Sequence, residues 1–391
     1  MRAIKRLRTR TLLSATALSI AAAAAVAAPA SAAPGHYPSR IAGRVYLDDN
    51  TTGSNTIAAF DRHADGSLTP LPGSPFSAGG AGTGAGLASQ GAIQTTVDGR
   101  YALAVDAGSN QVSVLRIERD GSLIPVPAGV VSSGGVDPVS IAVHGGLVYV
   151  ANADATAPNL TGFRLTPDGH LIPLPNGTVA LPANSQPGDV LFNPTGTRLV
   201  TTLVNSSQIA SYTVTIGGHL RAAQGSPFPA QGVGPFGSQF RPTDPNQLFV
   251  SNAHNGTGLG TVSAFDVGFD GTLFSIGSSP FADQQTAPCW VIITPDGRYL
   301  FAVNTGSGTI SSYAIAGNGR LALLGSTPVS ANGGVGAVDP GLSPDGRTLY
   351  INESRVHAVG VFSVNEGNLT EEPGSPVALP AGATAAGIAV N

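Results

Sequence analysis

Two carboxylates, a guanidinium and an imidazole gather in one short stretch of the chain: Asp339, Glu353, Arg355 and His357. A carboxylate and an imidazole can work as base and acid, and a guanidinium can clamp an oxyanion or a carboxylate. The set therefore suits a lactone or carboxylate substrate. An ordinary loop salt bridge is the plainer reading of the same residues. His254, Asn352, Asp189 and Asp106 are further candidates for holding a ligand. Cys289, the only cysteine, stands next to Trp290, the only tryptophan. A Cys289–His254 pair is geometrically conceivable, but a small buried thiol against a packed indole is the simpler expectation. One cysteine allows neither an intramolecular disulfide nor a cluster of thiolate zinc ligands. Lys5 is the only lysine, so a mature chain has no lysine base or Schiff base.

What positions these residues is a repeat. An apolar strand, a Pro-Asp-Gly-Arg turn or a relative of it, and a second apolar strand ending in Asn or Asp recur at Thr96–Asp106, Asn193–Asn205, Thr294–Asn304 and Ser343–Asn352. Weaker copies lie at Val143–Asn152 and Arg241–Asn252. The turns fall at 98, 145, 195, 244, 296 and 345, a period near fifty. The second half of each unit is an alternating strand, a Gly turn and a Leu, and it occurs seven times, from Thr56–Leu68 to Ala358–Leu369. A Gly-Ser-Pro-Phe element or a relative follows at Gly73–Phe76, Gly225–Phe228, Ser278–Phe281 and Gly374–Pro376.

Four short antiparallel strands per unit, A to D, predict an all-β fold, a seven-bladed β-propeller. The expected final strand, Ala386–Asn391, has no Asp-Gly turn after it. It would become the innermost strand of the blade that starts at Gly43–Asp48, closing the ring and removing its open edges.

Ahead of the propeller, Arg2, Lys5, Arg6, Arg8 and Arg10 precede an apolar run, Leu12–Ala28, and the small residues Ala30-Ser31-Ala32. This pattern predicts a signal peptide over 1–32, a flexible mature start over 33–42 and the propeller over 43–391, in a secreted protein. Cleavage leaves 14 basic against 23 acidic residues, a formal charge of −9. A nucleic-acid partner is thereby disfavoured, and no second apolar segment offers a membrane anchor. The mature chain is expected to act as a monomer that takes a small molecule or a glycan.

The Asp-Gly turns (A–B) and the C–D turns share one face; the B–C loops and the long Gly-rich D–A connections share the other, where loops from all blades converge over the channel. His63, His144, His170 and His219 fall on the turn face, and His36 in the mature start. His254 and His357 fall on the loop face. The Gly-rich stretch Gly79–Gly86 lacks the strand–helix setting and the lysine of a phosphate loop. The Asn or Asp read as closing each B strand (Asp48, Asp106, Asn152, Asn205, Asn252, Asn304, Asn352) recurs in every blade and so reads as a loop cap. No cofactor is required, although such a ring of oxygens, or the channel, could hold Ca²⁺ or Mg²⁺.

The whole pattern, PDGRYLFAVN, TISSYAI and NGRLALLGSTP, resembles the seven-bladed lactonase family, which includes bacterial 6-phosphogluconolactonases and fungal carboxymuconate-lactonising enzymes. The resemblance spans about Gly43 to Asn391 and implies lactone hydrolysis or cycloisomerisation at the central channel. It also implies a His or Arg-His just after a Pro opening strand A, and a Glu after the Asn closing strand B. Here the strand starts read Gln186-Pro187-Gly188-Asp189, Gly234-Pro235-Phe236-Gly237 and Ala287-Pro288-Cys289-Trp290, without that histidine. Asn352-Glu353 alone matches the second element. Two readings stay open: a secreted enzyme with a changed site, and a non-catalytic propeller that binds a glycan, small molecule or protein.

Overall fold

The computed structural model describes residues 39–329 and 336–391. The expected signal segment 1–32, His36 and part of the last long connection, 330–335, lie outside the described residues. Among the described residues no helix is long and apolar enough to cross a membrane.

Seven sheets of four main strands each surround a channel, as the repeat predicts. Blade 6 shows the plan: A is Pro288–Ile293, B Tyr299–Asn304, C Thr309–Ile315 and D Leu321–Pro328, hydrogen-bonded in that order from the axis outward. Strand B is a continuous apolar run because neighbouring blades cover both of its faces; from Leu300 to Asn304 every residue is buried. The final strand, Gly387–Val390, pairs antiparallel with Ile41–Asp48, so blade 1 joins both parts of the chain and the ring is closed.

The recurrent turn has a local cause. Asp296 accepts hydrogen bonds from Thr294 Oγ1 (2.5 Å) and from Arg298 N (3.0 Å), while Gly297 takes the left-handed conformation at φ +69°. The same bonds hold Asp98 and Asp345, and all three carboxylates are shifted below their ordinary value. The Gly-Ser-Pro element explains the short outer strands of blades 1, 4, 5 and 7. There Ser74, Ser226, Ser279 and Ser375 each supply an Oγ acceptor to a strand C N–H, 2.7–3.0 Å away. Tyrosines latch adjacent blades, with Tyr46, Tyr149 and Tyr350 each donating to a C–D turn glycine carbonyl of the next blade at 2.9 Å.

Register corrects one part of the sequence reading. Asn304, Asn252, Asn152 and Asp106 pair with the first residue of strand C, and their equivalents in blades 4 and 7 are Leu203 and Glu353. In blade 1 it is Asp49, whose N–H bonds to Thr56 O. Asp48 and Asn352 therefore lie one residue off that position, and Asn205 is exposed beyond its strand. Because side chains alternate, one residue of slip changes the face completely.

Candidate functional site

Asp339, Glu353, Arg355 and His357 do not come together. Asp339, on strand A of blade 7 (Ala337–Leu342), faces the axis, where its Oδ2 accepts from Gly91 N at 3.2 Å. Glu353 ends strand B (Thr348–Glu353) and packs against Gly360 on strand C, so closely that a Cβ at residue 360 would collide with Oε1. Its Oε1 has no hydrogen-bond partner, and burial, with Glu371 nearby, pushes its carboxyl up to about 7. His357 takes φ +50° and its Nδ1 donates to Ala383 O at 2.6 Å, while Arg355 lies over Gly336. Among the described residues none of the four takes part in an ion pair. The acid–base set and the loop salt bridge are thus both replaced by four separate packing roles.

The axis itself is closed on the loop face. The third residue of strand A in blades 3 to 7 is Ser140, Asp189, Gly237, Trp290 and Asp339, and these stand at one level of the channel. Across that level runs a strap, Ser89-Gln90-Gly91, the end of the Gly-rich connection from blade 1. Ser89 Oγ donates to Val139 O (2.7 Å), and Ser89 O accepts from Trp290 Nε1 (2.8 Å). Gln90 N donates to Gly188 O, and the Gln90 side-chain amide bonds Ser238 O and both backbone groups of Val291. Gly91 N reaches Asp339. One tripeptide so ties blades 3 to 7. Gly237 has no side chain because a Cβ there would collide with Gln90 Oε1.

Asp189, a candidate ligand residue, is a strut within this ring: its Oδ2 accepts from Ser238 N (2.9 Å) and Oγ (2.6 Å). Burial pushes its carboxyl up to about 7, and raises Asp339 too, with the neighbouring Asp189 adding to the effect.

Away from the axis, the loop face keeps a cleft of about 250 Å³ between blades 3 and 4. Its floor is Leu87, Ala153 and Pro187. Four polar side chains surround it: Asp137, Asn184, Gln186 and Asn205, none of which makes a side-chain hydrogen bond among the described residues. Asp137 and Gln186 stand directly before the prolines that open strands A of blades 3 and 4, at φ +58° and +51°. Blades 5 and 7 carry glycine at the matching place, Gly234 and Gly336. Asp137 is the one titratable residue lining the cleft, and burial, followed by repulsion from Asp154, raises its carboxyl above the ordinary value.

Residues 240–382 match the family described as lactonase, 7-bladed β-propeller. The match lies in the later blades and spans less than half of the chain. The chain's fold is similar to that of a candidate 6-phosphogluconolactonase from Bacteroides uniformis, with 20% identity, a TM-score of 0.72, and 90% of this chain and 100% of that one covered. It is also similar to the periplasmic gluconolactonase of Pseudomonas aeruginosa, at 17% identity, a TM-score of 0.69 and coverage of 89% and 98%. At these identities the likeness is one of fold. No curated protein matches the chain in sequence.

The remaining candidate residues of this propeller are mostly interior. Asp106 is fully buried, bonded to Ser113 Oγ (2.5 Å) and Asn55 Nδ2 (3.0 Å), and covered by Gly80. Asn352 is buried with Nδ2 on Ala385 O at 2.6 Å. His254 is exposed and rests over Gly234, apart from Cys289. Burial raises the Cys289 thiol to about 11, which keeps it protonated beside Trp290. Among the described residues no group of three or more His, Cys, Asp or Glu side chains is arranged to hold a metal. The cleft residues were hidden from sequence reasoning because it looked after each proline. The signal was a polar residue at the position before strand A, where blades 5 and 7 have glycine and blade 6 has Ala287.

Proposed function

We propose that this lactonase-family propeller is exported and binds a small, uncharged, oxygen-rich ligand of the lactone or sugar class in the cleft between blades 3 and 4. The observation that carries the reading is the convergence of Asp137, Asn184, Gln186 and Asn205, all without internal partners, over an apolar floor. An apolar base with a few convergent polar groups is the usual form of a small-ligand site. The amides can donate and accept, and the carboxylate accepts a hydroxyl. With no imidazole, guanidinium or second carboxyl lining the cleft, Asp137 lacks the partner that an acid–base pair needs.

Lactone hydrolysis is the second reading. It draws on the family match and on Asp137, whose raised carboxyl suits a general base that activates water. One experiment separates the two. Purified mature protein is offered a panel of lactones and monosaccharides, with binding read by calorimetry and turnover by acid release. Binding without turnover, weakened about tenfold in Gln186→Ala, is the expected result, the size of one lost hydrogen bond. Turnover above the spontaneous rate that disappears in Asp137→Asn would replace binding by hydrolysis. Neither binding nor turnover on any probe ends both readings. Export is tested separately: the protein recovered from culture medium is expected to begin at Ala33.

A further inference from the structure

On the turn side of the strap the channel opens into a chamber of about 230 Å³. Gln90 and Asp339 form its inner end, and its wall continues down the strands A through Gln94, Thr95, Gln239 and Ile292. The ring above is buried, with Asp189 and Asp339 each 2% exposed, whereas Gln94, Thr95, Gln239 and Ile292 are all partly exposed. These residues lie within three positions of the A–B turns, so solvent reaches the chamber from the Asp-Gly face. The sequence reading looked for ligands on the loop face, and this chamber lies on the other side of the strap.

The chamber is equipped for hydrogen bonding and carries no positive group. No Lys, Arg or His lines it. Gln94 and Thr95 have no side-chain hydrogen bond, and Gln239 uses only its Oε1, which accepts from Ile293 N at 3.2 Å, leaving Nε2 free. Asp339 adds a carboxyl at the inner end, raised well above its ordinary value by burial and by the neighbouring Asp189. Ile292 and Leu342 supply apolar wall between the polar groups. A cavity of about 150 Å³ accommodates benzene, and drug-sized ligands use about 300 Å³ or more. The chamber falls between, at the size of one substituted ring.

We propose that this chamber is a second binding site, independent of the loop-face cleft and reached from the turn face, for a single uncharged ring bearing hydroxyl or carbonyl groups. An acid of the same size is excluded. Its carboxylate would lose hydration without meeting a cation, and would face a ring already carrying two aspartates.

The test uses the mature chain with D-xylose, δ-valerolactone and D-gluconate as probes, followed by saturation-transfer NMR and titration calorimetry. The two neutral rings are expected to bind, with gluconate at least about tenfold weaker. Gln94→Leu and Thr95→Val are each expected to weaken the neutral probes about five- to tenfold, one neutral hydrogen bond apiece. Neither side chain has an internal partner, so both variants should keep the wild-type melting temperature, which shows that they fold. The proposal is overturned if neither neutral ring gives saturation transfer. It is overturned equally if gluconate binds as well as xylose, or if both variants bind like wild type, which would put the ligand elsewhere.

Discussion

Blades 6 and 7 are neighbours built on one plan, yet they differ at the three places where a blade meets the interior. At the level of the strap blade 6 has Trp290 and blade 7 has Asp339. At the end of strand B blade 6 has Asn304, whose Nδ2 donates to Ser311 Oγ at 2.9 Å and Thr309 Oγ1 at 3.0 Å. Blade 7 has Glu353 facing Gly360, with no bond made. The exchange is coupled: the longer carboxylate fits only because the opposite serine has become glycine. Blade 6 has its amide hydrogens bonded and leaves only Asn304 Oδ1 without a partner, whereas blade 7 carries buried carboxyls raised above their ordinary value. The difference teaches that departures from the repeat come in compensating pairs, so that one unusual residue alone does not identify a working site.

The largest expected effect breaks the blade 6 side. Trp290→Ala removes a buried indole and its bond to Ser89, and should cost about 3–5 kcal/mol in urea unfolding. A loss below about 1 kcal/mol would mean that the strap does not lean on blade 6. Next comes the coupled pair. Gly360→Ser alone forces a side chain into the Glu353 carboxylate and should cost about 1–3 kcal/mol. Adding Glu353→Asn should recover most of that by recreating the Asn304–Ser311 arrangement; strictly additive effects in the double-mutant cycle would refute the coupling.

The smallest effect is in pH. The folded carboxyl of Glu353 sits near 7, above its ordinary value, so the folded state holds this proton more tightly than the unfolded chain does. Stability from this group is therefore full in mild acid and is lost as pH rises from about 4.5 through 7. Asp49 and Asp189, also pushed up to about 7, slope the same way. Glu353→Gln should gain on the order of 1 kcal/mol over wild type at pH 8 and little at pH 5, leaving a shallower pH slope. An equal difference at both values would show that Glu353 does not titrate in this window.

The architecture was legible because it rests on local, repeated signals. An Asp-Gly turn needs only residues within five positions, and six A–B turns together with seven C–D turns leave little choice of fold. The strap was not legible: nothing near Gln90 in sequence announces partners at Ser238 and Val291, which are fixed only when the ring closes. The B-strand ends failed for a narrower reason. Asp48-Asp49 and Asn352-Glu353 each place two eligible residues side by side, and only cross-strand pairing says which one faces strand C. The cleft was missed because Asp137 and Gln186 occupy turn positions whose backbone, not composition, makes them distinctive.

Ser89, Gln90 and Gly91 have a consequence for how the molecule assembles. They emerge from the ribosome before any of their partners in blades 3 to 7 has been made, so their hydrogen-bonding groups wait on residues up to about 250 positions downstream. Contacts of such long sequence separation delay folding and concentrate it into one late event. Once formed, they bind the ring as spokes meet at a hub, and a single blade cannot peel away without first releasing the centre. The slowest-exchanging amides of the protein should then lie on the axis at Gln90 and Gly91, and not within any one blade.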